Sequence, residues 1–372
     1  MAHRLKLVRL IPVLDFGGVE TNFEIWSQFA DRERYDLRVC TFWKDGAAAE
    51  KIRAYGIPVD VLGVDPSIRN PRATFALAKY LRRIRPDILQ ASIGEANFHA
   101  ALVGKVSGVP VVIIEEHGVP NRPLPYRLIH AALYRMIDAI IGVSQVSLDY
   151  VVDREFAPRN RTYLLYNAVP AEFFAPVAPH FPRRGPFRFV TVGRLHPVKN
   201  QARLIQAFAH VISAHPGAQL TIVGGGNLHS TLARQIADLG LTDHVKLTGY
   251  SSEVQAILDT ADCFVLPSLT EAFGIAMVEA MARQIPVIAS AGGALSEVAG
   301  SIGKEWIVDP LDVAGWSHAM ITMLELDDQQ RSSLGRGARQ VAERYSPVRH
   351  IEELHSIYNE LLNRAKLVPQ SH

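Results

Sequence analysis

The sequence predicts an α/β protein made of two doubly wound parallel-sheet domains. Three observations predict it. The chain has 372 residues, about twice the length of an ordinary domain. Short β-branched runs alternate with helical patterns almost from end to end. A break with little periodicity, crowded with Pro170, Pro176, Pro179, Pro182 and Pro186, falls near the middle.

In the first half, Leu5–Val13, Leu37–Phe42, Val59–Leu62, Ile88–Ala91, Val111–Glu115, Ala139–Val143 and Tyr163–Tyr166 read as strands. Several are apolar at nearly every position, as strands covered on both faces must be. Helical patterns over Gly18–Ala30, Phe75–Arg85, Asn97–Ser107 and Leu124–Ile137 separate them. The proline-rich stretch at about 170–186 reads as a linker, which puts a first domain at 1–170 and a second at 187–346. In the second, Phe187–Val192, Gln219–Val223, Val245–Thr248, Cys263–Pro267, Pro286–Ala289 and Trp306–Val308 read as strands. Its helices are expected over Asn200–Ala214, Asn227–Leu239, Ser252–Thr260, Ile275–Arg283 and Gln329–Tyr345. A last helix, Arg349–Lys366 within a segment 347–366, is set apart by Pro347. Two such halves around a cleft are the simplest architecture.

Composition narrows the class. A chain 48% hydrophobic, 20% charged and 8% aromatic has material for two cores and is not disordered, collagen-like or a coiled coil. The 39 Lys+Arg against 37 Asp+Glu leave +2, so no charge bias points to nucleic acid. The first 170 residues carry a formal +4 and the remainder −2. The sharpest basic cluster is Arg69, Arg72, Lys79, Arg82, Arg83 and Arg85. On a helix, Arg72, Lys79 and Arg83 share one face and Leu77, Tyr80, Leu81 and Ile84 the other. That pattern suits first a surface helix packed on a sheet, as most amphipathic helices are, with a patch for an anionic lipid headgroup or lipid-diphosphate acceptor as the sharper alternative.

Cys40 and Cys263 stand far apart in apolar runs, which fits two buried thiols in a reducing compartment. No secretory signal is expected, because the apolar stretch after Met1–Lys6 is broken by Arg9, Pro12 and Asp15. The longest stretch free of formal charge, Leu204–Ala233, contains three histidines, a proline and four glycines. It cannot supply the roughly 20 continuous apolar residues of a membrane span. A cytoplasmic protein, at most peripheral at the inner face of a membrane, is the expectation.

Several motifs are missing. Gly224-Gly225-Gly226 is followed by Asn227-Leu228-His229, so it is no G-x-G-x-x-G. Gly104-Lys105 and Gly303-Lys304 lack the P-loop Ser/Thr. No Asp-x-Asp, G-x-S-x-G or H-E-x-x-H occurs. A dehydrogenase, an NTPase and a metalloenzyme all lose ground, and no metal site and no cofactor are expected.

Other residues point to a phosphorylated ligand. Gly274 stands where a helix should start after the strand Cys263–Pro267, and free amides there bind phosphate oxygens. Glu279, a turn in, can accept hydrogen bonds from vicinal hydroxyls such as a ribose offers, and Glu271 in the loop can reach hydroxyls beyond the phosphates. A capped helix with two solvated acids would explain the same residues. Arg194 and Lys199 leave the carboxyl end of the strand Phe187–Val192, where ligands bind in such sheets. Two cations there suit a diphosphate and the charge on a departing nucleotide, although either alone would pass for a surface cation. Gly17-Gly18 after the first strand permits close backbone approach, or makes an ordinary turn capped by Asp15. His117, at the end of the strand Val111–Glu115, can donate to a sugar hydroxyl or a phosphate, or be a hydrogen-bonded structural histidine.

In order, Gly17-Gly18-Val19-Glu20, Glu116-His117-Gly118, Gly193-Arg194-Leu195 with Lys199, Gly224-Gly225-Gly226, Glu271 and Glu279 with Phe273-Gly274, and Ala291-Gly292-Gly293 with Glu297 resemble retaining glycosyltransferases of family 4. The resemblance covers nearly the whole chain, is most specific from about 187 to 300, and implies the two-Rossmann-domain GT-B fold. It implies that Arg194 and Lys199 bind the donor diphosphate, Glu279 the ribose and Glu271 the sugar hydroxyls. The backbone at Phe273, Gly274 and Ile275 would support sugar and phosphate, with Gly17 and Gly18 approaching the phosphates and His117 beside the transferred sugar. The base would pack near Thr248–Val254, including Tyr250 and Val254. The last helix would cross back to the first domain. Tyr166-Asn167-Ala168-Val169-Pro170 departs from the Asn-Gly-Val-Asp of many members, and Ala272 replaces a common Gly or Pro.

The resulting expectation is transfer of a sugar from a nucleoside diphosphate (UDP or GDP) to an acceptor hydroxyl of a glycan or lipid-linked glycan, with retention and without metal. Domain closure would exclude water. A nucleotide-sugar 2-epimerase on the same fold and a non-catalytic nucleotide-sugar-binding module are the alternatives.

Overall fold

A computed structural model describes residues 4–15, 17–119, 122–177 and 185–366. The chain divides into two compact units, 1–168 with 347–372, and 169–346.

In chain order, the first unit contains β1 (Leu5–Ile11), α1 (Gly18–Phe29), β2 (Tyr35–Thr41), α2 (Ala47–Ala54), β3 (Val59–Val61), α3 (Pro71–Ile84), β4 (Ile88–Ser92), α4 (Gly94–Val103), β5 (Val111–Glu116), α5 (Leu124–Tyr134), β6 (Ala139–Gly142), α6 (Gln145–Glu155) and β7 (Thr162–Leu164). The strands form one sheet in the order β3-β2-β1-β4-β5-β6-β7, with every pairing parallel. Alternate residues of β1 serve opposite faces, as the two-residue period of a strand requires. Leu7 and Ile11 meet Phe23 and Trp26 of α1, whereas Val8 and Leu10 face the layer holding Leu77 and Leu81 of α3.

The second unit contains β8 (Arg188–Val192), α7 (Gln201–Ala214), β9 (Gln219–Val223), α8 (His229–Asp238), β10 (Val245–Gly249), α9 (Val254–Leu258), β11 (Cys263–Leu266), α10 (Ile275–Ala282), β12 (Val287–Ser290), α11 (Leu295–Ala299), β13 (Ile307–Val308), α12 (Val313–Glu325) and α13 (Asp328–Ala342). Its sheet runs β10-β9-β8-β11-β12-β13, again all parallel. Both orders reverse direction beside the first strand of the unit. That switch point opens a crevice at the strands' carboxyl ends.

The last helix, α14 (Pro347–Arg364), belongs to the first unit. Its Ile351, Leu354, Tyr358, Leu361 and Leu362 lie in the same core as Phe23 and Trp26 of α1. Their spacing is that of one helix face, and each fully buried aliphatic side chain contributes about 1.5–3 kcal/mol.

Four helices, α2, α6, α11 and α12, go beyond the sequence reading. α11 is only five residues long, too short for a periodic signal. α12 is announced by a cap, since the Asp312 side chain accepts from the Gly315 amide at 2.9 Å. Other boundaries move for local reasons. α3 starts at Pro71 rather than Phe75 because Asn70 caps it, accepting from the Arg72 amide at 3.1 Å, and proline suits the first helical position. The expected helix Asn97–Ser107 instead ends at Val103 and continues as a 3-10 turn over Lys105–Ser107. A Cβ at Gly104 would sit 2.7 Å from Val112 Cγ2.

The expected linker is in part built into the second unit. A 3-10 turn covers Ala171–Phe174. Arg339 donates to the Phe174 carbonyl at 2.8 Å, Arg283 to that of Ala175 at 3.1 Å, and the Val169 amide to that of Tyr345 at 3.0 Å. Pro179 and Pro182 lie outside the described residues. Cys40 and Cys263 are buried and free.

Candidate functional site

In the second unit the switch point lies between β8 and β11, and the segments leaving those strands carry the candidate residues. After β8 the chain passes Gly193 and Arg194, makes a 3-10 turn over Pro197–Lys199, and enters α7 through Asn200 at φ 58°. Asn200 is nearly buried and donates to the carbonyls of Pro267 at 3.0 Å and Pro310 at 2.7 Å. One amide thus ties the β8 exit to the segments that follow β11 and β13. The Leu269 amide donates to Val198 O at 2.8 Å beside it.

This clamp brings Lys199 against Glu271. Nζ stands 2.5 Å from Oε1, which also accepts from Ser268 Oγ at 2.7 Å. The Glu271 loop is held from behind by glycines. At Gly293, with φ 68°, a Cβ would lie 2.2 Å from Glu271 O, and the Ala294 amide donates to that carbonyl at 2.8 Å. Arg194 is exposed, and among the described residues its guanidinium has no ion-pair partner. The strand end therefore presents one free cation and one cation engaged by a carboxylate.

Gly274 caps α10 at φ 88°, where a Cβ would meet Leu295 Cδ2 at 2.5 Å. Phe273 is buried with its ring edge-on to Tyr345, centroids 5.1 Å apart. Ile275 opens the helix, and Glu279 lies within it. Burial, and next the Glu172 carboxylate, push the Glu279 carboxyl up to about 7. Among the described residues no hydrogen bond or ion pair reaches that carboxyl. A half-desolvated acceptor without a donor suits a ligand that brings hydroxyls.

Gly224 and Gly226 let the segment after β9 lie against the one after β8. A Cβ on either would fall 2.1 Å from Gly193 O or 2.3 Å from Leu195 O. The triple-glycine run is thus a packing device. Tyr250 follows β10, is 69% exposed, and lies beside Gly225; Val254 begins α9.

In the first unit, Gly17 caps α1, Gly18 is its first residue, and the Glu20 carboxylate folds back so that a Cβ on Gly17 would lie 2.6 Å from its Oε2. Burial raises the Glu20 pKa, against the lowering effect of nearby backbone amides and of His117. His117 Nε2 lies 3.2 Å from Glu115 Oε2, and Nδ1 is buried without a protein partner. Glu115 Oε2 also takes Arg9 at 2.9 Å and Ser92, while Oε1 takes Gln90, whose own Oε1 accepts from Tyr358 of α14. Burial alone would raise the Glu115 carboxyl, but Arg9 first, then His117 and Ser92, hold it well below the usual range. The Arg9 guanidinium stacks 4.1 Å from the Phe23 centroid. His117 is therefore oriented by a buried network rather than standing alone.

The sequence reading missed Asn200, Ser268, Glu172 and the Arg9–Glu115–Gln90–Tyr358 network. Arg9 is the available signal, being a charge inside the buried and otherwise apolar part of β1, 7–11. A cavity of about 460 Å³ in the first unit, lined by residues including Asp65, Glu95, Arg122, Tyr126 and His130, was not foreseen either. Among the described residues no group of three or more His, Cys, Asp or Glu is placed to hold a metal ion. No described helix is long and apolar enough to cross a membrane.

Comparison with known proteins gives the class. The family model described as Glycosyl transferases group 1 matches residues 178–341, and that of Glycosyltransferase Family 4 matches residues 16–173. The chain belongs to this family of glycosyltransferases, and its two units have the GT-B fold. It is 21% identical over 383 aligned positions to the Escherichia coli UDP-Gal:alpha-D-GlcNAc-diphosphoundecaprenol alpha-1,3-galactosyltransferase, covering 96% of this chain and 97% of that one. A GDP-mannose-dependent monoacylated alpha-(1-6)-phosphatidylinositol monomannoside mannosyltransferase of Corynebacterium glutamicum is 38% identical over 157 residues, 39% of this chain and 40% of that one. Among solved structures, Anabaena HepE in complex with UDP superimposes with a TM-score of 0.83 at 20% identity, covering 96% of this chain and 100% of that one.

Proposed function

We propose that this glycosyltransferase moves a sugar, with retention of configuration and without a metal ion, from a UDP- or GDP-sugar to an acceptor hydroxyl. The acceptor belongs to polysaccharide or lipid-linked glycan assembly. The observation that carries the reading is the switch point of the second unit, where Arg194, the Lys199–Glu271 pair and the Glu279 carboxyl, which no described residue bonds, follow neighbouring strand ends. The E. coli and Corynebacterium relatives support the donor class and a lipid-linked acceptor by what they act on.

In this reading Arg194 and Lys199 grip the diphosphate, with the first amides of α10 at Gly274 and Ile275 beside them. The C–O bond to the leaving diphosphate breaks through an oxocarbenium-like transition state, and the cations stabilise the departing oxygen. They supply the positive charge that a divalent ion would otherwise bring. Glu279 takes the ribose hydroxyls and Glu271 the sugar hydroxyls. Tyr250 and Val254 flank the base, Gly17 and Gly18 approach the phosphates, and His117 faces the transferred sugar. The leaving phosphate takes the acceptor proton. The protein works without a resident cofactor at the cytoplasmic face of a membrane.

Thermal-shift screening with UDP-, GDP- and ADP-sugars tests the donor class, because a ligand of the native state raises the melting temperature. Product analysis with the best donor then tests the reaction. Conversion of the donor to an isomer of equal mass with no acceptor present would instead mark an epimerase, and tight binding without any turnover a binding module. Activity abolished by EDTA and restored by magnesium would refute the metal-free mechanism.

A further inference from the structure

The basic helix singled out in the sequence, α3, is mostly charged outward: Arg72, Lys79, Arg82 and Arg83 are exposed together with one large apolar side chain, Phe75, and Leu77, Tyr80 and Leu81 are buried. α5 is built the other way. Its exposed positions are Leu124, Pro125, Leu128, Ile129 and Ala132, with no polar side chain among them. Leu124 and Leu128 are each 56% exposed and Ile129 is 47% exposed. Just beyond the helix, Met136 continues the strip. A helix facing only water carries polar residues on its outer face, and a contiguous apolar strip marks an interaction surface.

Along its own stretch of sequence the strip carries charge of one sign. From His117 to Ile137 the sequence holds three arginines and no acid. Arg122 is engaged by Glu116 and Glu155. Arg127 and Arg135 donate only to carbonyls, those of Arg154, Ala131 and Phe156, and are in no ion pair among the described residues. The Arg127 guanidinium lies 5.6 Å from the centroid of the exposed Phe156 ring. Of the nearby acids, Asp138 is engaged by Lys105 at 2.5 Å and Asp153 by Arg159 at 3.7 Å, whereas Asp65 and Glu95, in the cavity with Tyr126 and His130, are in no ion pair among the described residues.

We propose that the outward face of α5, with Phe156 beside it, docks on an anionic bilayer surface. Apolar side chains enter the boundary between headgroups and acyl chains, and the two arginines meet lipid phosphates. The inference rests on the lipid-linked acceptor of the proposed function and places the membrane contact on α5 rather than α3. The same helix lines the cavity of about 460 Å³ with Tyr126 and His130, so the element that meets lipid also borders a polar recess.

The test is flotation of the full chain with vesicles of phosphatidylglycerol and phosphatidylcholine, against vesicles of phosphatidylcholine alone. Wild type should float with the anionic vesicles and far less with the neutral ones. Leu128→Glu with Ile129→Glu should lower partitioning about tenfold or more, whereas Lys79→Glu with Arg82→Glu should retain most of the binding. Hydrogen exchange on the wild type should show protection of α5 on adding anionic vesicles, which tests the surface without any variant. Wild type that does not float, equal flotation of the α5 variant, loss confined to the α3 variant, or a dimer that the α5 variant dissolves would each overturn the proposal. Nucleotide-sugar thermal shifts are read separately. Their absence with vesicle binding intact would sink the transferase reading and leave the docking face standing.

Discussion

Lys199 Nζ lies 2.5 Å from Glu271 Oε1, so the cation assigned to the diphosphate and the carboxylate assigned to the sugar hold each other in position. Both side chains keep some solvent contact, and such a pair contributes about 1 kcal/mol or less to stability. Its weight is expected in catalysis. Lys199→Ala should melt within a few degrees of wild type, yet lose about 10²-fold or more in kcat, because one preorganised charge contact to a developing oxyanion is worth roughly 3 kcal/mol. Steady-state kinetics beside a melting curve checks this, and near-normal turnover removes Lys199 from the mechanism.

Glu279 should make donor affinity depend on pH near neutrality. Its carboxyl is raised to about 7 by burial and then by Glu172. Only the ionised form offers all its oxygen lone pairs to two hydroxyls. Calorimetry should show affinity falling as pH drops through about 7, with proton release on binding at pH 7. Glu172→Gln removes one source of the shift and should move the midpoint lower. The linkage to folding has the opposite sense to an ordinary salt bridge. The unfolded chain, with the group near 4.5, binds fewer protons than the native state between 4.5 and about 7, so this group's contribution to stability falls as pH rises through that window. Glu279→Gln should therefore gain melting temperature over wild type at pH 8 and lose nucleotide binding.

Glu115 should behave in the contrary way. Its pKa is depressed by Arg9, His117 and Ser92 despite burial. Its stabilising effect is present above the unfolded pKa of about 4.5 and is lost as pH falls below it. Glu115→Ala leaves the Arg9 guanidinium buried without its counter-charge, which costs about 3–5 kcal/mol. Denaturant unfolding should place this variant among the least stable, with the loss seated in the first unit.

Gly293→Ala tests the support behind the site. Its φ of 68° and a Cβ only 2.2 Å from Glu271 O leave no room for a methyl group. The strain should move the Glu271 loop and lower kcat at modest cost to the fold, about 1–3 kcal/mol. Gly217→Ala, at a glycine with nothing within 4 Å of its Cβ position, serves as the control. Equal kinetics for both variants would show that the Glu271 loop tolerates displacement.

Much of the fold was legible because parallel strands buried on both faces are written as short apolar runs. β4, β5, β11 and β12 are buried at every position, and each was found within a residue or two. α11 and α12 were not, the one because five residues cannot show a period, the other because its signal lies in the cap at Asp312. By composition the proline-rich break reads as a linker. Part of it is held in the second unit by Arg283 and Arg339, whose partners are backbone carbonyls that carry no sequence signature.

The sequence by itself determined the residue types and the order of the strand ends that bear them, because periodicity and glycine placement are local. It could therefore nominate Arg194, Lys199, Glu271 and Glu279. Only the tertiary structure decided that β8 and β11 are neighbours at a switch point, that Lys199 pairs with Glu271, and that Glu279 shares its surroundings with Glu172. It likewise decided that Arg9 and Tyr358, from opposite ends of the chain, join Glu115 and Gln90 in one buried network. The physical reason is that contacts and desolvation depend on which distant segments pack together, and a burial-driven shift exists only once they do.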